Sequence, residues 1–174
     1  MFYVIIILTI NNQKGFIMFS SLFLTKNQKM VRKWTKEHAK IVVLVHNVIA
    51  EYSKNNHKKA KKILINLNNI VIDHITDENI EFYRLIKDGN RLSYENQKNT
   101  EEFLETFKDT KQTLMVFLTK YTRKSVELDD EFFETLTTLA DILMERIKYE
   151  ESKLYSSLDI SREEERIERL KRQI

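Results

Sequence analysis

The sequence predicts an all-α protein, an antiparallel up-down four-helix bundle that ends in a short C-terminal helical tail. Three observations lead to this prediction. The 174 residues include 2 glycines and no proline, which leaves few of the turn residues that a β-sheet protein needs. Apolar residues recur every three or four positions over long stretches, as they do on the buried face of a helix. The second and fourth of these stretches also repeat one motif.

The first two predicted helices form a hairpin. Helix 1 covers about residues 27–54, and its apolar seam has the spacing 4-3-4-3-4 that is typical of helix packing. This seam consists of Trp34, His38, Ile41, Val45, Val48 and Tyr52. Asn55 and Asn56 form the predicted turn, and helix 2 covers about residues 57–88. Gly89 and Asn90 are expected to end helix 2, since both residues favour the left-handed conformation of a helix C-terminus.

The second predicted hairpin has the same construction. A polar linker at about residues 91–99 leads into helix 3, which runs to about residue 122. Asp129 or Asp130 is expected to cap helix 4, because short acidic side chains accept hydrogen bonds from the first free amides of a helix. Helix 4 then runs to about residue 158. Ser161 and Glu164 have the spacing of a capping box and predict a charged helix within residues 159–174.

The chain is thus divided into an N-terminal segment (1–26), the bundle (27–158) and the charged tail (159–174). The segment begins with the apolar run MFYVIIILTI, and a second methionine, Met18, follows it. Residues 1–17 are interpreted as the product of an upstream start codon or as poorly ordered. The alternative is a β-like hairpin, two apolar runs joined at the Asn/Gly turn, that docks on the bundle.

Composition excludes several classes of function. Without cysteine the chain has no disulfide, no zinc–cysteine site, no iron–sulfur cluster and no cysteine nucleophile. The net charge of +3 comes from 29 basic and 26 acidic residues, so we expect no nucleic-acid partner. Glycine-rich phosphate loops and serine-nucleophile motifs are missing, and we expect no enzyme. The first apolar run is too short to span a bilayer, so a membrane is not expected and the predicted location is cytoplasmic.

Helices 2 and 4 carry the same motif at an offset of 72 residues (146 minus 74). Glu78 in helix 2 corresponds to Glu150 in helix 4, and a tyrosine follows each glutamate by five positions. The same offset places His74 opposite Arg146. Between helices 1 and 3 it places His38 opposite Thr110. The chain is therefore interpreted as two helical hairpins of about 72 residues each.

Three polar side chains lie on seams where apolar residues are expected. His38 lies on helix 1, and His74 and Glu78 lie one turn apart on helix 2, so that both project to the same side. Buried polar groups are unfavourable without partners. Imidazole nitrogen and carboxylate oxygen are ligands that suit iron, manganese or zinc. The sequence thus leaves two interpretations open. These residues form a metal site, or the histidines are core residues that are hydrogen-bonded to neighbouring groups.

With these residues the chain resembles the hemerythrin-like, or HHE cation-binding, four-helix bundles over about residues 31–158. The resemblance rests on three segments, which are Lys36-Glu37-His38 with Ile41, the stretch from His74 to Glu78 with Phe82-Tyr83, and the stretch from Arg146 to Glu151 with Leu154-Tyr155. It implies a centre of two irons that binds oxygen or senses iron and redox state. By position, it implies His38, His74, Glu78 and Glu150 (or Glu151) as ligands.

Two positions depart from the family pattern. Thr110 stands where the family has a histidine on helix 3, and Arg146 stands where it has a histidine on helix 4. An arginine stays protonated and is no ordinary metal ligand. Its fixed positive charge can instead pair with Glu78 or Glu150, as a metal would. We therefore expect a site that is reduced or lost, with an Arg–Glu–His network in place of a cofactor.

Three interpretations of function stay open. The first is a non-catalytic binding or sensing protein with this reduced or lost site. The second is a competent metal protein that holds one ion, iron or another divalent cation. The third follows from a resemblance to the Rsd/AlgQ regulators, which implies a protein partner, the main sigma factor of bacterial RNA polymerase. That resemblance rests on Trp34 and His38, on residues 73–83, and on Glu145-Arg146-Ile147 with Glu150. The sequence does not indicate an oligomeric state.

Overall fold

The computed structural model describes residues 24–87 and 94–158, together with Ile167, Leu170 and Lys171. Four long helices make up this part of the chain, and it contains no β-strand. They are α1 (Lys26–Ser53), α2 (His57–Lys87), α3 (Tyr94–Thr122) and α4 (Asp130–Tyr149). The fourth continues through a π-helical turn (Glu150–Leu154) into the short α5 (Tyr155–Leu158). The predicted all-α, four-helix fold is confirmed.

Contacts between helix ends establish the up-down arrangement. The start of α1 lies beside the end of α2, where Lys26 Nζ is 3.6 Å from Glu81 Oε2. At its other end α1 meets the start of α4, where the Tyr52 hydroxyl donates to Asp130 Oδ1 at 3.2 Å. The end of α3 lies beside the start of α4, where Lys120 Nζ is 3.1 Å from Glu131 Oε1. Helix α1 is therefore antiparallel to α2 and α4, and α3 reverses into α4.

Local signals in the sequence explain where helices begin and turn. Asp129 accepts a hydrogen bond from the Phe132 amide at 2.8 Å and so caps α4, as predicted. Thr25 caps α1 and forms a reciprocal capping box with Gln28. The predicted turn between α1 and α2 places Asn55 at φ 61°, a left-handed conformation that asparagine tolerates.

Some predictions concern residues outside the described part of the chain. These are the N-terminal segment (1–23), the helix-ending Gly89 and Asn90, and most of the C-terminal tail, including Ser161 and Glu164. No helix within residues 24–87 and 94–158 has the length and apolar character needed to cross a membrane.

Two apolar clusters fill the interior of the bundle. The larger one lies towards the α1–α2 turn and includes Val48, Leu64, Leu118 and Phe132. The smaller one lies towards the other end and consists of Met30, Val31, Trp34, Phe82, Phe107, Leu154, Tyr155 and Leu158. Along α1, α2 and the fourth helix, buried polar residues lie between the positions that enter the two clusters. The core is therefore interrupted by a polar layer.

Candidate metal centre

The polar layer consists of four buried side chains from three helices. His38 comes from α1, His74 and Glu78 come from α2, and Glu150 begins the π-helical turn. Their residues are 2%, 5%, 0% and 2% exposed, respectively, so each is removed from solvent. All four line one cavity of about 30 Å³. This volume exceeds what one water molecule needs and is too small for an organic molecule. The sequence predicted His38, His74 and Glu78 on inward seams, and Glu150 as the counterpart of Glu78 in the repeat; all four are buried.

The two imidazole rings face each other through their Nε2 atoms, which are 3.0 Å apart. Each Nδ1 atom contacts a carboxylate, Glu151 Oε1 at 2.9 Å for His38 and Glu37 Oε2 at 3.0 Å for His74. An ionised carboxylate only accepts hydrogen bonds, so each Nδ1 is a donor. A neutral imidazole that donates from Nδ1 presents a lone pair at Nε2. Two such lone pairs at 3.0 Å require a cation or a proton between them.

The carboxylates of the layer have unsatisfied oxygen atoms. Tyr155 donates from its hydroxyl to Glu78 Oε1 at 2.7 Å, and Glu150 Oε2 lies 3.2 Å from His38 Nε2. Within the described part of the chain, Glu78 Oε2 and Glu150 Oε1 are buried and have no hydrogen-bond partner. An unsatisfied buried acceptor is unfavourable by about 1–3 kcal/mol. The layer can therefore accept a further positive group at these two oxygen atoms, although Glu150 Oε1 already lies 3.9 Å from Arg146 Nε.

The surroundings of the two histidines shift their pKa values in opposite directions. Burial lowers the pKa of His38, but its hydrogen bonds to Glu150 and Glu151 and the nearby charges outweigh burial and raise the pKa to about 9. Burial lowers the pKa of His74. Without a metal, His38 is thus the protonated ring, and the proton on its Nε2 faces both His74 Nε2 and Glu150 Oε2. A metal ion would replace this proton, since both bind the same lone pairs.

The π-helical turn and the first residue of α5 supply three contacts to His38. Glu150 and Glu151 approach opposite nitrogen atoms of its ring, and the Tyr155 hydroxyl lies 3.4 Å from Nε2. The sequence left open which of the two glutamates was the ligand. Glu150 is the buried one and faces the cavity, whereas the Glu151 side chain is 38% exposed and orients the ring from outside.

Arg146 lines the cavity beside Glu150, with Nε 3.9 Å from Glu150 Oε1. Its guanidinium carbon lies 4.2 Å from the centre of the Phe107 ring, and one of its terminal nitrogens is 3.5 Å from Thr106 Oγ1. Thr110 is half-buried on α3. The described residues through which α3 lines the cavity are Phe107 and Leu114.

Three residues of the site were not assigned a role by sequence reasoning. Glu37 precedes His38 in the chain but orients His74 on the neighbouring helix. Tyr155 was recognised only as part of the repeat. Lys111 is half-buried on α3, its Nζ donates to Asn79 Oδ1, and Nζ lies 4.8 Å from the centre of the Phe107 ring. In the sequence, the only sign of such a role was the position of Glu37 next to His38. That position did not show that Glu37 would contact His74.

The geometry fits one metal ion and does not supply enough imidazoles for two. His38, His74 and Glu150 each offer a ligand atom, and these atoms lie within 4.8 Å of one another. Both imidazoles have the carboxylate partner that metal-bound histidines commonly have. Fold and site thus define a helical bundle whose buried polar layer is a candidate cation site.

Comparison with known proteins agrees with this class. The family model of the hemerythrin HHE cation-binding domain matches residues 29–158, most of the chain, and the chain belongs to that family. No curated protein and no solved structure matches it.

Proposed function

We propose that this protein binds one divalent transition-metal ion in the cavity, in a binding or sensing role and not as an enzyme. The ligands are the Nε2 atoms of His38 and His74 and the carboxylates of Glu78 and Glu150. The observation that carries the proposal is the pair of unsatisfied carboxylate oxygens beside the two facing imidazoles. A proton on His38 separates the imidazole lone pairs, but it leaves both oxygens without a hydrogen bond.

The surrounding residues prepare this donor set. Glu37 and Glu151 hold the two rings in the tautomer that directs Nε2 inward, and Tyr155 holds one oxygen of Glu78. Mixed nitrogen and oxygen ligands suit iron, manganese and zinc. A bound ion would supply a Lewis acid and, if it is iron, a redox-active centre. A cavity of about 30 Å³ leaves no room for an organic substrate beside the ion, which favours binding or sensing.

Metal analysis with a matched pair of histidine variants tests the proposal. We expect protein exposed to Fe²⁺, Mn²⁺ or Zn²⁺ and then desalted to retain about one equivalent of at least one of these metals. His38→Gln removes a ligand and should abolish retention. His46→Gln changes an exposed histidine two turns further along α1 and should not affect it. Wild-type protein that retains less than a tenth of an equivalent of each metal would contradict the proposal.

A specific contact favours a second candidate, a metal-free bundle that binds a partner through its surface. The Arg146 side chain is 17% exposed and lies beside Glu150, so that its charge can offset the buried carboxylates. In this case metal would neither be retained nor change the melting temperature. Arg146→Met would leave Glu78 and Glu150 less compensated and would lower the stability of chelator-treated protein by about 1–3 kcal/mol.

A further inference from the structure

Two cations from different helices meet at one aromatic ring in the wall of the cavity. Arg146 on α4 and Lys111 on α3 both lie over Phe107, with the guanidinium carbon and Nζ at 4.2 Å and 4.8 Å from the ring centre. Phe107 is 4% exposed and lines the cavity directly. A cation over an aromatic face is held in place by the ring quadrupole. The ring therefore favours the positions of two positive charges near the candidate metal site, of which Arg146 lines the cavity itself.

Both cations act on the two carboxylates that would hold the ion. Arg146 lines the cavity beside Glu150, and Lys111 donates to Asn79, the residue that follows Glu78. Burial lowers the pKa of Lys111, whereas the negative charges of Glu78 and Glu150 act in the opposite direction. The same two carboxylates act on Arg146 in the same way. The two positive charges and the two negative ones therefore share one electrostatic environment.

The two positive charges weaken the binding of a trivalent ion more than the binding of a divalent ion. Coulomb repulsion between a fixed cation and a bound ion grows in proportion to the charge of the ion. A trivalent ion thus loses one and a half times as much binding free energy to Arg146 and Lys111 as a divalent ion in the same place. Charges interact more strongly at such a site than in water, because the four side chains that would hold the ion are buried.

We propose that Arg146 and Lys111, held on Phe107, are specificity-determining residues that tune the cavity to divalent over trivalent ions. This inference rests on the proposed function and adds the charge class of the ion. For iron, Fe²⁺ is favoured over Fe³⁺ relative to the same cavity without the two cations. Arg146, which stands where the family has a histidine, then contributes to selectivity for the charge of the ion, and so does Lys111.

Competition with a chelator tests the proposal on the whole chain. Zn²⁺ serves as the divalent probe, and Ga³⁺, presented as a citrate complex, serves as a trivalent probe of fixed oxidation state. The variant is Lys111→Met with Arg146→Met, which removes both charges and keeps most of the apolar stems. The matched control is Lys120→Met, which removes a cation that lies over Tyr121 at 4.6 Å on the same helix but at the other end of the bundle.

The two affinities should change by different factors. Removal of both charges should tighten Zn²⁺ binding about 10- to 100-fold and Ga³⁺ binding about 30- to 1000-fold, a ratio of 3 to 2 in the logarithm. Lys120→Met should leave both affinities unchanged. The charge-retaining pair Lys111→Arg with Arg146→Lys should keep the wild-type preference. If the double variant does not fold, each single Met variant should show about half of the logarithmic change.

The outcomes separate this inference from the proposed function. If wild-type protein binds Zn²⁺ and the variant keeps the wild-type ratio of Ga³⁺ to Zn²⁺ affinity, the inference is wrong and the proposed function stands. If wild-type protein binds no Zn²⁺ but the variant does, the proposed function is wrong for the native chain and the charge effect is supported. Failure of both proteins to bind either ion would overturn both.

Discussion

His38 has polar partners on both of its ring nitrogens. Glu151 accepts from Nδ1, while His74, Glu150 and Tyr155 surround Nε2 within 3.4 Å. A buried imidazole with a carboxylate on one side and a second imidazole on the other is held in one orientation. Glu37 and Glu151 therefore hold both imidazole rings with Nε2 directed into the cavity, and this orientation does not require an ion.

Glu37→Gln tests the role of these outer carboxylates. The amide keeps the shape of the side chain but no longer supplies the negative charge that makes the His74 ring a stronger ligand. We expect divalent-metal affinity to fall about 10- to 100-fold without loss of the fold, as measured by chelator competition and circular dichroism. Glu51→Gln, at the other end of α1, is the control and should retain wild-type affinity. Equal affinity in both variants would show that Glu37 does not orient the ligand.

The π-helical turn explains why two copies of one sequence motif have different environments. Tyr83 follows Glu78 by five positions, and Tyr155 follows Glu150 by five. On a regular helix this spacing places the tyrosine about 140° from the glutamate, and Tyr83 is indeed 67% exposed. The wider turn at Glu150–Leu154 brings Tyr155 round to the core, where it is 1% exposed. The π-helical turn thus adds a hydrogen-bond donor, the Tyr155 hydroxyl, to the site.

The two tyrosines form a matched pair for a stability measurement. Tyr155→Phe removes the hydroxyl that donates to the buried Glu78, and we expect it to lower the free energy of unfolding of metal-free protein by about 1–3 kcal/mol. Tyr83→Phe changes an exposed hydroxyl and should stay within about 0.5 kcal/mol of wild type. Urea denaturation of both variants checks the difference. Similar values for the two would mean that the π-helical turn does not bring Tyr155 to Glu78.

In the whole molecule, the polar layer separates two apolar clusters and joins three of the four long helices. Its candidate ligands come from α1, α2 and the start of the π-helical turn, while α3 contributes Phe107 and Leu114 to the cavity wall. An ion bound here would add a direct link between helices that meet at this level through hydrogen bonds, ring contacts and apolar packing. Metal binding, if it occurs as proposed, is therefore expected to stabilise the bundle.

This coupling predicts a metal-dependent melting temperature. At a free metal concentration 100 times the dissociation constant, the folded state gains about 2.7 kcal/mol. For a chain of this size we expect a rise of roughly 5–10 °C in a thermal melt. His38→Gln should show no rise, which separates binding at the site from weak binding elsewhere on the surface. A rise of equal size in wild type and in His38→Gln would place the bound metal outside the cavity.

The interpretation as a regulator that binds a sigma factor stays a prediction. It rests on short motifs, and four of their residues, His38, His74, Glu78 and Glu150, belong to the polar layer inside the bundle. Because these residues are buried at the candidate metal centre, their presence in the motifs does not require a protein partner. Co-purification of RNA polymerase with the tagged full chain would support the regulator interpretation, and its absence would contradict it.

Seam spacing and capping predicted the helices and the inward positions of His38, His74 and Glu78, and the repeat added Glu150, because these signals are local properties of a chain. They could not predict which group each side chain meets, since that depends on how the helices are rotated against one another. The folded structure alone shows that Glu37 and Glu151 orient the imidazoles. It also decided that a π-helical turn buries Tyr155 and that Lys111 joins Arg146 on Phe107. These contacts join different helices or arise from a change in helix geometry, and no periodicity in the sequence encodes them.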